Sequence, residues 1–192
     1  NSTCMKKPKI YIDGQAGTTG LQIKERILNR DDLELLTIAE DKRKDPGERR
    51  RLMEKADLVF LCLPDAAAIE AVSLMEGLDT RIIDASTAHR TSPDWAYGFP
   101  ELSAAHKAAI QSAQKVANPG CHASGFIALV YPLARSGLLN LDSQLKSFSL
   151  TGYSGGGKSM IAAYENEKED EMNSPKPYAL GLAHKHIPEM KA

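Results

Sequence analysis

A cysteine between a predicted strand and a predicted helix carries the most reactive chemistry in this sequence. Cys121 lies in Asn118-Pro-Gly-Cys-His-Ala-Ser-Gly125, where Pro119 and Gly120 predict a sharp bend. Unpaired amides and the helix dipole at a helix N-terminus favour an anion. The sequence therefore predicts a thiolate nucleophile at this position. The alternative is a buried structural cysteine, because free cysteines are often buried.

A glycine-rich turn follows the first predicted strand. Gly14, Gly17 and Gly20 form the pattern G-x-x-G-x-x-G before a predicted helix. Glycine lets a backbone approach a phosphate closely, and the helix N-terminus supplies amide donors. The spacing departs from the G-x-G-x-x-G fingerprint, and a tight strand-to-helix connection is the alternative. Its place after the first strand favours a dinucleotide site.

The residues after the second predicted strand bear on which dinucleotide binds. Glu40 could bind the ribose hydroxyls of NAD, as an acidic residue usually does at this point. Lys42, Arg43 and Lys44 follow at once and could hold a 2′-phosphate. This basic cluster favours NADP, although the same residues could simply be solvated.

Two further stretches follow predicted strands, at the edge where ligands of such sheets bind. Cys62-Leu63-Pro64-Asp65 ends the third strand, and Pro64 could equally have only a structural role at a helix start. Arg90 closes the stretch Asp84-Ala-Ser-Thr-Ala-His-Arg90 and could clamp a phosphate or carboxylate. The alternative for Arg90 is an ordinary surface arginine.

Two histidines near the end of the chain are candidate acid/base groups. His184 and His186 flank Lys185, and the spacing of two histidines could also suit a metal. No third ligand has a matching spacing, so we expect no metal site and favour a histidine acting with Cys121. The other histidines, His89, His106 and His122, are expected to have no role.

These groups together define one reaction. Attack of a thiolate on an acyl phosphate expels phosphate and gives a thioester, which takes a hydride from a nicotinamide to become an aldehyde.

Strands and helices alternate along residues 5–120, which predicts an α/β fold with a doubly wound parallel sheet of Rossmann type. The predicted strands are Lys9–Ile12, Leu33–Ile38, Asp57–Leu63, Arg81–Asp84 and Lys115–Ala117. The predicted helices are Leu21–Leu28, Gly47–Lys55, Ala66–Met75 and Glu101–Ala113, with loops at Glu40–Lys44 and Ala85–Pro100. We expect these residues to form a dinucleotide-binding domain.

Residues 121–192 predict the first part of an α+β catalytic and dimerisation domain. The predicted elements are an apolar helix Phe126–Leu138, a strand Gln144–Thr151, a glycine-rich loop Gly152–Gly157, a charged helix face Glu165–Glu171 and irregular chain from Asn173. One strand and a helix cannot bury the face of a sheet. We therefore expect this domain to lack its C-terminal half or to borrow it from another chain.

The composition argues against several classes of partner. The 192 residues carry 24 basic and 25 acidic side chains, a balance that gives no support to a nucleic-acid or anionic-membrane partner. We expect no membrane span, because no apolar run approaches about 18 residues, and no signal peptide, because no apolar region follows Asn1–Lys7. The widely spaced Cys4, Cys62 and Cys121 argue against a disulfide framework and for a reducing compartment, which we take to be the cytoplasm.

Five motifs, in this order, resemble those of the N-acetyl-γ-glutamyl-phosphate reductase family in its shorter form. They are Asp13-Gly-Gln-Ala-Gly-Thr-Thr-Gly20, Asp84-Ala-Ser-Thr-Ala-His-Arg90, Asn118-Pro-Gly-Cys-His-Ala-Ser-Gly125, Gly152-Tyr-Ser-Gly-Gly-Gly-Lys158 and His184-Lys-His-Ile-Pro-Glu189. The resemblance implies an NADPH-dependent enzyme of arginine biosynthesis that makes N-acetylglutamate semialdehyde and phosphate from a small acyl phosphate. It also implies a Rossmann domain joined to a substrate and dimerisation domain, a relationship to aspartate-semialdehyde dehydrogenase, a homo-oligomer, and family chains that continue past Ala192.

The resemblance also implies roles for individual residues. Cys121 is the nucleophile, and His184 or His186 is the acid/base group, with His184 favoured. The implied cofactor-binding residues are Gly14, Gln15, Ala16, Gly17, Thr18, Thr19, Arg43, Cys62, Leu63, Pro64, Ser86, Gly155 and Gly156. The implied substrate-binding residues are Arg90, Ser154 and Lys158.

Two other functions stay open at this point. One is a sister acyl-phosphate reductase acting on an aspartyl or a longer N-acylated substrate. The other is a catalytically silent dinucleotide-binding or interaction module, in which Cys121 would alkylate no faster than free cysteine.

Overall fold

The computed structural model describes residues 6–166 and 169–192 of the chain. Cys4, the predicted domain start at Met5 and the centre of the charged run, Glu167 and Lys168, lie outside the described residues. The chain divides into two compact units, one ending at Pro119 and the other running from Gly120 to Ala192.

The first unit is built on a parallel sheet, which confirms the predicted α/β class. Within the described residues its strands are β1 (Lys9–Asp13), β2 (Glu34–Leu36), β3 (Leu58–Leu61), β4 (Arg81–Asp84), β5 (Ala96–Tyr97) and β6 (Lys115–Ala117). They lie in the order β2-β1-β3-β4-β6-β5, and every neighbouring pair is parallel. The chain leaves β1 toward β2 and then crosses back to β3 on the other side of β1. This reversal creates the crevice, at the carboxyl ends of β1 and β3, where open sheets bind ligands.

Helices cover both faces of this sheet. They are α1 (Thr18–Leu28), α2 (Pro46–Lys55), α3 (Asp65–Leu74) and α4 (Ala104–Ser112). Because side chains alternate along a strand, Tyr11 packs with Leu52 of α2 and Ala71 of α3 on one face, while Ile12 packs with Ile27 of α1 on the other. Apolar burial on both faces is what makes the sheet doubly wound, as its near-continuous apolar strands predict.

Two predicted loops of the first unit contain regular structure. Residues 40–42 form a 3₁₀ turn, and the loop at 85–100 contains β5, followed by a 3₁₀ turn at Pro100–Leu102. The predicted loop Ala85–Pro100 did not include β5, because β5 exists only through its pairing with β6, where Ala96 lies opposite Val116. Its two residues are too few to show an alternating pattern in the sequence.

The second unit is helical within the described residues. Its helices are α5 (Cys121–Arg135), α6 (Gly157–Glu165) and α7 (Ile187–Lys191). The predicted glycine-rich loop is instead a 3₁₀ turn, Tyr153–Gly156, that runs into α6. The predicted charged helix face is also wrong, because α6 ends at Glu165 and a 3₁₀ turn occupies Asp170–Asn173.

The predicted strand Gln144–Thr151 is not formed. Residues 143–152 have no strand assignment, and Phe148 and Leu150 are 89% and 88% exposed. A strand is held by a hydrogen-bonded ladder to a neighbour, and the described residues of this unit contain no strand that could provide one. The alternating pattern alone is therefore insufficient to form a strand.

Among the described residues, no helix combines the length and apolar character that crossing a membrane requires.

Candidate active site

The glycine turn between β1 and α1 lies directly against the end of β3. Gly14 has a positive φ of 90°, and a Cβ on it would lie 2.2 Å from the Cys62 carbonyl oxygen. A Cβ on Gly20 would lie 2.4 Å from the Gly14 carbonyl oxygen. Both distances are far below van der Waals contact, so the turn tolerates no side chain at either position. The glycines therefore have a packing role in addition to any ligand role.

The same turn presents hydrogen-bond donors to the crevice. Gly17 is the N-cap of α1 and supplies no side-chain oxygen to the first-turn amides, which have no intrahelical acceptor. Within the described residues, the buried Nε2 of Gln15 also donates to no acceptor. A buried unsatisfied donor is costly, and a phosphate oxygen is a suitable acceptor. This part of the chain, Gly14 to Thr19, therefore fits the phosphates of a dinucleotide.

Arg43 lies beyond β2 beside the acidic residue of the same turn. Its guanidinium is 3.4 Å from the Glu40 carboxylate, and the two side chains are 41% and 87% exposed. The proximity of Arg43 to Glu40 places both candidate ribose-binding groups together on the surface.

A buried ion-pair network beneath the glycine turn was missed by the sequence analysis. Arg49 of α2 donates to Asp13, the last residue of β1, at 2.9 Å, and to Glu70 of α3 at 2.8 Å. The side chains of Arg49 and Asp13 are 7% and 5% exposed. Burial raises the pKa of Asp13 above its usual range, and the Arg49 guanidinium opposes that shift. The network ties two helices to the residue that precedes Gly14.

The strand end at Cys62-Leu63-Pro64 lies in the same crevice. Burial, reinforced by the charges of Asp84 and Asp13, raises the pKa of Cys62 to about 12, so its thiol stays protonated near neutral pH. Pro64 is the N-cap of α3. Cys62 is therefore a neutral wall of the crevice and not a second nucleophile.

The loop after β4 is organised by a fully buried carboxylate. Asp84 accepts hydrogen bonds from the Ser86 amide at 2.9 Å and the Ser86 hydroxyl at 2.7 Å, and its Oδ2 lies 2.7 Å from Nδ1 of His89. The His89 ring stacks on Trp95 with centroids 4.2 Å apart. His89 therefore has a structural role in this loop, which the Asp-x-Ser-x-x-His spacing could have indicated, and the expectation that it has no functional role stays a prediction.

Arg90 closes this loop onto the last strand of the sheet. Its Nε donates to the Asn118 carbonyl at 2.8 Å and a terminal nitrogen donates to the Ala85 carbonyl at 3.1 Å. Arg90 thus links the end of β4 to the end of β6, three residues before Cys121. Its predicted role in substrate binding stays a prediction.

In the second unit, Cys121 is the first residue of α5 and is exposed in this chain. The alternative of a buried structural cysteine was therefore wrong. Gly120 is the N-cap and offers no side-chain oxygen to the helix amides in the described structure. The exposed sulfur lies where amide donors and the helix dipole favour an anion.

Three histidine rings cluster at this end of α5. The ring of His122, which follows Cys121, has its centroid 5.5 Å from that of His184 and 6.0 Å from that of His186. The Tyr178 hydroxyl lies 3.2 Å from Nε2 of His184, and Nδ1 of His184 accepts from the His186 amide at 3.2 Å. These contacts favour a His184 tautomer with the proton on Nε2. His122 thus lies in this cluster, and the expectation that it has no role stays a prediction.

The electrostatics of the cluster keep His184 neutral. Burial, the nearby His122 and Lys185 lower the pKa of His184, and Glu189 opposes the shift weakly. A neutral imidazole can take up a proton near pH 7. Among the described residues, no group of three His, Cys, Asp or Glu side chains is arranged to hold a metal ion.

The remaining predicted residues of the second unit lie on the surface. Ser154, Gly155, Gly156 and Lys158 are all exposed, in the 3₁₀ turn before α6 and in its first turn. The neighbouring Tyr153 bonds to Glu165 at 3.0 Å, which closes this segment on itself. Their predicted contacts with cofactor and substrate stay predictions.

Comparison with known families assigns both units. A family model described as "Semialdehyde dehydrogenase, NAD binding domain" matches residues 9–110, and one described as "Semialdehyde dehydrogenase, dimerisation domain" matches residues 121–192. The chain belongs to the semialdehyde dehydrogenase family.

Named relatives within this family are similar over nearly all of the chain. A Chelativorans protein named N-acetyl-γ-glutamyl-phosphate reductase is 52% identical over 185 residues, which are 95% of this chain and 59% of the relative. A Burkholderia lata protein of the same name is 48% identical over 187 residues, again with 59% of the relative covered. The chain thus spans 59% of the length of these two relatives.

Solved structures of the family share the fold. Aspartate semialdehyde dehydrogenase II from Vibrio cholerae aligns with a TM-score of 0.59 at 15% identity, over 94% of this chain and 57% of that one. The Francisella tularensis aspartate semialdehyde dehydrogenase aligns with a TM-score of 0.57 at 17% identity, over 85% of this chain and 52% of that one. At such low identity the likeness concerns the fold alone.

Proposed function

We propose that this semialdehyde dehydrogenase family member catalyses NADPH-dependent reduction of N-acetyl-γ-glutamyl phosphate to N-acetylglutamate 5-semialdehyde and phosphate, and that this reaction serves arginine biosynthesis. The observation that carries the proposal is an exposed Cys121 at the start of α5, next to His122 and the ring cluster of His184 and His186. Relatives at about half identity support the choice of substrate.

Cys121 supplies the nucleophile in this proposal. Its thiolate attacks the acyl carbon, the carbon–oxygen bond to the phosphate breaks, and a thioester forms on the sulfur. Bound NADPH would supply the hydride that reduces the thioester carbonyl. The carbonyl would then re-form as the carbon–sulfur bond breaks, which releases the aldehyde and the Cys121 thiolate. A proton that the acid/base histidine lends to the oxygen in between returns to that histidine in the same step.

His184 is the favoured proton carrier. Its lowered pKa leaves it neutral near pH 7, and the proton on Nε2 is held toward the Tyr178 hydroxyl. A neutral imidazole avoids charge repulsion with Lys185 and can both give and accept a proton during turnover. His186 is buried and is the alternative acid/base group.

The first unit would bind the dinucleotide, as a domain covering residues 5–120. Gly14 to Thr19 would hold the phosphates, Cys62-Leu63-Pro64 and Ser86 would line the crevice, and Arg43 would bind the 2′-phosphate. Gly155 and Gly156 would complete the cofactor site, while Arg90, Ser154 and Lys158 would bind substrate. Residues 121–192 would form the first part of the catalytic and dimerisation domain, and we propose a homo-oligomer that works in the cytoplasm.

The reaction is tested in the reverse direction, with the stable aldehyde. We expect NADP-dependent and phosphate-dependent oxidation of N-acetylglutamate semialdehyde, and at least tenfold slower oxidation of aspartate semialdehyde. Cys121→Ser should abolish turnover and leave NADPH binding intact, whereas Ser112→Ala, at an exposed position of α4, serves as a control with retained turnover. Comparable rates with the two aldehydes would contradict the substrate assignment, and an active Cys121→Ser variant would contradict the thioester route.

The choice of cofactor has its own test. Replacing Arg43 with Ala should weaken NADPH binding by about tenfold or more and leave NADH binding nearly unchanged, because only the former carries the 2′-phosphate. Lys107→Ala, which removes an exposed positive charge from α4, is the control. Equal losses for the two cofactors would remove the argument for NADP.

A further inference from the structure

A histidine in the loop after β4 is fixed by two contacts that the proposed reaction does not use. Nδ1 of His89 lies 2.7 Å from Oδ2 of Asp84, the last residue of β4, and it is the donor because a carboxylate accepts. The Asp84 side chain is fully buried and that of His89 is 13% exposed. The ring also stacks on Trp95 with an angle of 15° between the planes. The imidazole is therefore held at one edge by a hydrogen bond and across its face by an indole.

The carboxylate that accepts from His89 is itself held in place. Ser86 donates to Asp84 from both its amide and its hydroxyl. The same hydroxyl accepts from the Ala88 amide at 3.2 Å. His89 thus bonds to a fixed anchor, and Asp84 keeps two hydrogen bonds when the histidine is replaced.

The next residue in the chain is Arg90, whose guanidinium connects two strand ends. It donates to the Asn118 carbonyl, just after β6, and to the Ala85 carbonyl, just after β4. The Asn118 amide in turn donates to the Asp84 carbonyl at 2.8 Å. The direction of the guanidinium therefore depends on the backbone that enters Arg90, and His89 fixes that backbone.

We propose that His89 is a positioning residue for Arg90, acting through its hydrogen bond to Asp84 while Trp95 supports the ring. The guanidinium would bind an oxyanion of the substrate, a phosphate or a carboxylate, and His89 does not touch that oxyanion. This proposal rests on the proposed function for the role of Arg90 in substrate binding. It replaces the expectation that His89 has no functional role.

The orientation of a guanidinium matters as well as its charge. Arginine binds a phosphate or carboxylate through two parallel hydrogen bonds, which require the two planar groups to align. Turning the Arg90 side chain should therefore weaken binding of the oxyanion, although the positive charge remains.

Substitutions of His89 separate its two contacts. His89→Phe keeps a ring for Trp95 and removes the donor to Asp84, so KM for the substrate that carries the oxyanion should rise by about tenfold or more. His89→Asn places an amide donor near the position of Nδ1, and this KM should stay within about threefold of the wild type. KM for NADP should change in neither variant, because the cofactor does not depend on Arg90.

The substrate whose KM rises shows whether the effect passes through Arg90. Arg90→Lys keeps the charge and loses the paired donors. In the oxidation assay it should raise KM for phosphate if Arg90 binds the phosphate, or KM for the aldehyde if Arg90 binds the carboxylate. His89→Phe should raise the same KM. Since both substitutions act on one group, the double variant should bind no more weakly than Arg90→Lys.

A second histidine of the same unit provides the matched controls. His106 is half-buried at the start of α4, and its Nδ1 lies 2.8 Å from the Ser103 hydroxyl. His106→Phe and His106→Asn repeat the two substitutions away from the loop after β4. Both should leave every KM near its wild-type value.

A measurement without substrate tests the geometry directly. The Nε proton of Arg90 is bonded to the Asn118 carbonyl, so its exchange with water should be slow in the wild type. Its NMR signal is assigned by its loss in Arg90→Lys. Exchange should accelerate by about fivefold or more in His89→Phe and stay slow in His89→Asn.

Each outcome decides the proposal. A wild-type KM in His89→Phe, a rise in a different KM from that of Arg90→Lys, equal losses in the phenylalanine and asparagine variants, or additive losses in the double variant overturns it. If His89→Phe does not fold, His89→Gln replaces it, because its amide nitrogen lies one methylene too far for the same bond. A raised KM then supports the proposal and a wild-type KM overturns it.

Failure of the proposed function gives a different result. If the wild type does not oxidise the aldehyde, the proposed reaction fails. If Arg90→Lys changes neither KM, the substrate role of Arg90 fails. In both cases the exchange of the Arg90 Nε proton still supports or overturns positioning by His89.

Discussion

Replacing Arg49 by alanine tests the buried network beneath the glycine turn. The substitution removes the guanidinium that compensates the nearly buried Asp13 carboxylate at 2.9 Å. Breaking one partner of a buried ion pair costs about 3–5 kcal/mol, because a charge is left without compensation. Arginine and alanine have similar helix propensities, so α2 itself contributes little to the loss. We expect a fall of about 3–5 kcal/mol in the free energy of unfolding, measured by urea denaturation.

The same helix provides the matched control. Arg51 pairs with Glu48 at the surface of α2, with side chains 46% and 22% exposed. Exposed pairs contribute about 0–1 kcal/mol, so Arg51→Ala should change the free energy of unfolding by less than about 1 kcal/mol. Removing both buried charges, with Asp13→Asn and Arg49→Met, should recover much of the lost stability, because no buried charge then lacks a partner.

The stability lost in Arg49→Ala should depend on pH, in a direction that the pKa of Asp13 determines. Burial already raises the pKa of Asp13, and without Arg49 the opposing influence is gone, so the pKa rises further. A carboxyl whose folded pKa exceeds its unfolded value favours the fold when protonated and disfavours it when ionised. The stability deficit of Arg49→Ala should therefore be small near pH 4 and grow as the pH rises through the folded pKa of Asp13. A loss below 1 kcal/mol at pH 7, or a deficit that grows as the pH falls, would refute this reasoning.

Other predictions concern the two cysteines, the histidine cluster and the glycine turn. Iodoacetamide at pH 7 should modify Cys121 at least tenfold faster than Cys62, because burial raises the pKa of Cys62 to about 12. Peptide mass spectrometry measures both rates, and equal rates would contradict the prediction. His122→Phe should raise the pKa of His184 in an NMR titration, since the charge of His122 is one cause that lowers it, and an unchanged midpoint would exclude that coupling. Gly14→Ala should destabilise the fold by more than about 1 kcal/mol and weaken NADPH binding, because a Cβ would overlap the Cys62 carbonyl. A variant as stable as the wild type would show that the turn can relax.

The parts of the fold that the sequence predicted are those with local causes. β1, β3 and β4 are short apolar runs bounded by turn residues, and their burial on both faces of a sheet follows from that composition. The start of α5 at Cys121 follows from the Pro-Gly turn before it. Each of these features needs only neighbours within a few residues, so a single sequence contains enough information to predict them.

The parts that the sequence analysis missed depend on distant partners. The bond from Arg49 to Asp13 spans 36 residues, and its presence depends on how α2 packs against the sheet. The strand predicted at Gln144–Thr151 was wrong because it too needs a distant partner. Its alternating pattern is present in the sequence, but the described residues of the second unit contain no strand for it to pair with. A pattern shows which side chains could face a core, whereas pairing requires a second segment in register.

The helices of this chain differ in whether a side chain caps their first-turn amides. Asp45 caps α2 by accepting from the Glu48 amide, and Ser103 caps α4 by accepting from the His106 amide. In the described structure α1 and α5 begin at glycines and have no such side-chain bond. Glycine at an N-cap stabilises a helix less than serine or aspartate does, by a few tenths of a kcal/mol. The loss leaves amide donors available, to a phosphate at α1 and to a thiolate or developing oxyanion at α5. The proposed phosphate site at α1 and the proposed nucleophile site at α5 therefore share one feature. In each helix, no side chain of the N-cap residue bonds to the first-turn amides.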